Sequence, residues 1–150
     1  MPGGFRFRFQ KILDVKEKLE RALEIQLGSL DRLILEQEGV LAQWQRGKQA
    51  ILQEIRNARQ RADLVENARC TAYLRHVRSR MERSRATLFE LRQKREGVRQ
   101  ELQRTAQSRR VLEKYRNRLR AEFMAAMEKA EERVTEVHSI RKFSRAEGML

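Results

Sequence analysis

The stretch that decides the fold is Asn57-Ala58-Arg59-Gln60-Arg61-Ala62-Asp63-Leu64-Val65-Glu66-Asn67-Ala68-Arg69-Cys70-Thr71. It is polar, weakly periodic, and lies near the middle of the chain between two long runs of helical periodicity. If the chain turns here, the runs fold back on each other; if not, one bent helix must pair with a second copy. Neither Gly nor Pro marks the place, so the residues leave both arrangements open. Asp63 and Thr71 are both suited to cap a new helix, Thr71 because it opens onto Tyr73, Leu74 and Val77. The turn is expected within 60–71, with helix 1 over about 5–60 and helix 2 over about 72–143.

Outward from that stretch, apolar residues recur in alternating steps of three and four. The N-terminal series runs Phe9, Ile12, Leu19, Leu23, Leu30, Leu33, Val40, Trp44, Ile51, Ala58 and Val65. The C-terminal series runs Leu74, Val77, Met81, Leu88, Leu91, Val98, Leu102, Leu112, Leu119, Phe123, Ala126, Ala130, Val137 and Ile140. This spacing lines up one stripe per helix, the seam of a coiled coil. Polar members such as Gln26, Gln37, Glu54, Arg95 and Arg109 weaken packing and disfavour promiscuous association. The expected fold is all-α: a single domain formed by a long antiparallel two-helix coiled-coil hairpin. Helices of roughly 60 residues would extend about 90 Å.

Composition supports this reading. The chain has 150 residues, 37% of them charged, and a formal net charge of +13. Ordinary globular domains carry about 25% charged residues, so a thick core is not expected. The only proline is Pro2, leaving the rest free of forced helix breaks. One cysteine permits no intrachain disulfide. No apolar run reaches the length of a membrane span, and the opening Met1-Pro2-Gly3-Gly4-Phe5-Arg6-Phe7-Arg8-Phe9 holds none of signal-peptide length. The expected location is cytoplasmic, either free or peripheral to a membrane.

No catalytic constellation is visible. Cys70 and His76 are six apart, a spacing that separates two side chains on a helix, and His138 is remote. One Cys and two separated His supply no metal site, and no phosphate-binding Gly-rich string occurs. The expectation is a non-enzyme without cofactors. Residues 69–120 hold 17 basic and 5 acidic residues, nearly the whole charge excess. Such a surface attracts nucleic acid, an acidic protein or anionic lipid, and it also keeps a thin helical protein in solution. Specific nucleic-acid binding is disfavoured: the arginines spread around the helix, and aromatic residues for base stacking are sparse among them, only Tyr73, Phe89 and Tyr115. Phe5, Phe7 and Phe9 alternate with Arg6 and Arg8, either as a hydrophobic helix start or as a docking end. Trp44, and Phe123 with Met124 and Met127, read as packing. Tyr73, Leu74 and Val77 read as packing or as a docking patch.

The ends of the chain resemble a known family. Phe5-Arg6-Phe7-Arg8-Phe9-Gln10-Lys11-Ile12-Leu13-Asp14-Val15-Lys16-Glu17 is similar to the F-x-F-x-L-x-x-V/I-L-x-x-K/R-E opening of the flagellar FliJ family. Leu112-Glu113-Lys114-Tyr115, Glu122-Phe123, Glu131-Glu132-Arg133-Val134-Thr135-Glu136-Val137 and Ile140-Arg141-Lys142-Phe143 follow the family's C-terminal trend, with Thr135 where Asp is common. The resemblance implies an antiparallel coiled coil like the central stalk of rotary ATPases, acting in type III export at the flagellar base. It implies three partners: the export ATPase (FliI type), the membrane export gate (FlhA type) and export chaperones. Carried over residue by residue, the ATPase-ring contact would be Phe5, Arg6, Phe7, Arg8 and Lys11 with Arg133, Arg141 and Lys142. The gate contact would be Leu41, Trp44, Tyr73 and Val77. The alternatives are the corresponding stalk of a virulence injectisome and a basic coiled-coil nucleic-acid or scaffold protein.

Overall fold

The computed structural model describes residues 3–148. Two helices account for nearly all of them: α1 (Gln10–Gln60) and α2 (Leu64–Gly148), with no strand among the described residues. The chain is all-α, and α2 turns back against α1. It divides into two compact units. One comprises Glu20–Arg104 and contains the turn; the other joins the chain through Leu19 to the chain from Thr105 onward.

The turn is much tighter than the 60–71 window, because only residues 61–63 separate the helices. The Asp63 amide donates to the Ala58 carbonyl at 2.9 Å, and the Ala62 amide donates to the Arg59 carbonyl at 3.1 Å. This pair of bonds is the Schellman closure of a helix C-terminus, which requires a left-handed residue just past the helix. Ala62 fills that place with φ 55°. Asp63 then caps α2, its Oδ1 accepting from the Glu66 amide at 3.1 Å. Glu66 in the first turn complements the positive end of the helix dipole. Thr71, the other expected cap, lies inside α2, where its hydroxyl donates to the Asn67 carbonyl at 2.8 Å. Helix 2 therefore starts at Leu64 rather than near 72.

Within Glu20–Arg104 the helices run antiparallel. Leu23, Leu30 and Val98 form one buried cluster, joined by Leu27, Leu91 and Leu102. Ile55, Cys70 and Leu74 form another beside the turn, joined by Ile51 and Leu52. A polar layer crosses the seam where the Gln37 amide donates to the Ser84 hydroxyl at 3.0 Å. Arg95 is on the seam as expected, but its guanidinium reaches Asp31 at the edge.

The α2 series is the observed seam as far as Phe123, and Ala126, its next member, is exposed; the α1 series is half out of phase. The α1 positions turned toward α2 include Leu13, Leu27, Ile34, Leu41 and Ile55, each one residue after a position in the expected series. Ile12, Leu19, Leu33 and Val40 are exposed, as are Gln26 and Glu54. Both phases present apolar side chains every seven residues. Packing against α2 selects the set completed by Leu13, Leu27, Ile34 and Ile55.

In the other unit α1 begins at Gln10, not near residue 5. Residues 3–7 belong to no helix or strand, and the Gln10 amide bonded to the Phe7 carbonyl at 3.1 Å closes the turn into α1. The reason is in the alternation. Phe-Arg-Phe-Arg-Phe has a period of two, which separates phenylalanines from arginines in an extended chain and mixes them on a helix.

Candidate functional site

The segment preceding α1 is clamped to α2 by its aromatic rings. Phe5 packs on Phe123 with ring centroids 5.8 Å apart. Phe7 is buried, and its ring meets Tyr115 and Phe9 at 5.9 Å each. Tyr115 also meets Phe9 at 6.3 Å, and the Arg118 guanidinium lies 5.1 Å from the Tyr115 ring centre. Edge-on and tilted aromatic pairs of this kind each add about 1 kcal/mol beyond area burial. The phenylalanines are thus engaged within the chain, and the arginines between them face outward. Arg6, Arg8 and Lys11 are all exposed, with Arg8 held 5.6 Å from the Phe9 ring centre.

α2 continues past this clamp. From Glu128 to Gly148 every residue is exposed, including Val134, Val137, Ile140 and Phe143. Arg133, Arg141 and Lys142 stand on this uncovered stretch. At 1.5 Å per residue, Arg133 lies about 15 Å along the helix beyond Phe123. The expected ring-contact residues therefore form two groups: cations around the clamp, and cations on the bare helix.

The second expected group is only partly a surface. Val77 is fully buried on the seam, and Leu41 and Trp44 are half-buried on α1. Tyr73 is 48% exposed. What joins α1 to α2 here is His76, absent from the sequence-derived set. Its ring lies 5.9 Å from both Trp44, edge-on, and Tyr73. The available signal was helical spacing: residues three apart on α2, such as Tyr73 and His76, share a face.

Cys70 does not pair with His76. It is buried beside the turn, and its thiol donates to Glu66 Oε1 at 3.6 Å. Burial, with the neighbouring Glu66 carboxylate, pushes the thiol above its ordinary range and keeps it protonated at neutral pH. No cluster of His, Cys, Asp and Glu converges as a metal site among the described residues, and no described helix is long and apolar enough to cross a membrane.

A paired-helix body with solvent-facing cations, an aromatic patch and an uncovered helical end defines a protein whose contacts are made by surfaces. The family model described as Flagellar FliJ protein matches residues 5–148, nearly the whole chain. The chain belongs to the flagellar FliJ family, and so to the components of the flagellar export apparatus. No curated protein and no solved structure matches it.

Proposed function

We propose that this protein is the non-enzymatic coiled-coil stalk of flagellar type III export, working at the cytoplasmic face of the membrane. It binds the export ATPase and promotes assembly of its ring, and it also contacts the export gate and export chaperones. The observation that carries the reading is the family match across 5–148. The clamp supports it physically. Phe5 and Phe7 hold the segment on α2, and Arg6, Arg8 and Lys11 remain free to meet an acidic ring surface. In this reading the phenylalanines position the contact and the cations make it, with Arg133, Arg141 and Lys142 adding contacts further along α2. Solvated cations on such a surface give modest, salt-sensitive affinity, which suits a part that must engage successive ring states. The gate contact is assigned to the Trp44–His76–Tyr73 patch beside Leu41. Val77 supports that patch from beneath.

The test is turnover and ring assembly of the export ATPase from the same organism, with and without this protein. Stimulation is expected, and Arg6→Glu with Arg8→Glu should weaken it strongly without changing the unfolding midpoint. Absence of both stimulation and ring binding by the folded wild type would reject the stalk assignment.

A further inference from the structure

Within Glu20–Arg104, one flank of the seam carries the ion pairs that cross between helices. Along that flank α1 presents Asp31, Glu38, Gln45 and Leu52 in turn, and α2 presents Arg92, Arg85 and Arg78. Arg92 meets Glu38 at 3.1 Å, and Arg95 meets Asp31. The acidic side of this ladder then ends, because Gln45 and Leu52 occupy the next places, whereas the arginines continue. Arg85 lines a groove beside Ala42 and Gln45. Arg46 and Lys48 line the adjoining part of it. None of these three cations has a carboxylate in ion-pairing range among the described residues. Phe89 stands at the groove's edge, 65% exposed.

We propose that this groove receives an acidic amphipathic helix of a protein partner, seated as a third helix against α1 and α2. A two-helix coil leaves the outer flank of each seam residue open, and a third helix covers it with the same spacing of side chains. Uncompensated cations select a partner with acidic residues flanking its apolar stripe, and Arg85 and Arg46 present planar forks suited to carboxylates. Phe89 supplies an apolar anchor whose contribution does not fade with salt. A nucleic-acid strand fits less well, since the groove offers a single aromatic ring and strand binding relies on successive stacking platforms. The groove differs from the ring-contact cations; it shares Leu41 with the proposed gate contact, but Arg85 and Phe89 flank the seam of α2 on the side opposite Tyr73 and His76.

The probe is a fluorescent peptide of about three heptads, with Leu on one stripe and Glu beside it. Its binding is followed by anisotropy in about 150 mM salt, where long-range attraction is screened. Binding is expected to weaken about tenfold in Arg46→Glu with Arg85→Glu, and also in Phe89→Ala, which changes no charge. It should survive in Arg110→Glu with Lys114→Glu, which alters the net charge equally at exposed positions elsewhere. Equal weakening by both charge-reversed pairs would mean general attraction to a basic protein and would overturn the proposal. Failure of the peptide to bind the wild type would do the same. So would displacement of bound peptide by a single-stranded oligonucleotide that itself depends on Arg46, Arg85 and Phe89, and that outcome would assign the groove to nucleic acid.

Discussion

Ala62 holds a left-handed conformation that glycine usually takes. Its Cβ costs about 1–2 kcal/mol there. Glycine would remove that strain but return about 0.4–1 kcal/mol through the greater freedom of the unfolded chain. Ala62→Gly should therefore stabilise the protein by about 0.5–1 kcal/mol, read as a higher urea midpoint at unchanged slope. Asp63→Ala should do the reverse by about 1 kcal/mol, since the Glu66 amide loses its acceptor. These two residues also explain why the turn was hard to place. Gly or Pro usually marks such a turn, whereas here Ala takes the strained place and the capping signal is the spacing of Asp63 and Glu66. The Phe-Arg alternation was fully legible as period two, but a helix beginning near residue 5 hid its meaning. His76 has no catalytic partner in Cys70, and its three-residue spacing from Tyr73 is the one sequence signal for its place between Trp44 and Tyr73.

At the scale of the element, α2 was readable and α1 was ambiguous for a specific reason. α2 carries charged or polar residues immediately beside much of its seam, as at Arg78, Arg85, Arg92 and Arg99, so a single phase stands out. α1 carries Ile12, Leu19, Leu33 and Val40 one residue before the seam positions Leu13, Glu20, Ile34 and Leu41. Periodicity alone cannot choose between the two phases; contact with α2 does. Adjacent substitutions test the choice. Ile34→Ala should cost about 2–3 kcal/mol, because Ile34 is 8% exposed and the seam cannot fully close over the gap. Leu33→Ala should cost under about 1 kcal/mol, because that side chain is 46% exposed and alanine favours the helix. Chemical denaturation of the two variants gives the comparison, and equal losses would mean that the observed phase is wrong. The same logic limits the sequence-derived gate set. Val77 completes the seam, and its removal would disturb packing under Tyr73 before it altered any contact with a partner.

At the scale of the whole molecule, burial and charge are distributed unequally. The clusters that hold the chain together lie before Glu128, and the residues from there to Gly148 are all exposed. Segments that bury nothing contribute little to global stability, and a helix of that length is marginal on its own in water. A chain ending at Met127 should therefore unfold at the same denaturant midpoint as the full protein. Its far-ultraviolet dichroism should lose the signal of the missing helix. If the proposed stalk role is correct, the same truncation should weaken engagement of the ATPase ring, since Arg133, Arg141 and Lys142 leave with it. The clamp cations Arg6, Arg8 and Lys11 remain, so weakening rather than abolition is expected. A large fall in the midpoint would show instead that this stretch folds against something, as its exposed Val134, Val137, Ile140 and Phe143 would allow through a second copy. Dependence of that midpoint on protein concentration would distinguish such pairing from a contact within one chain.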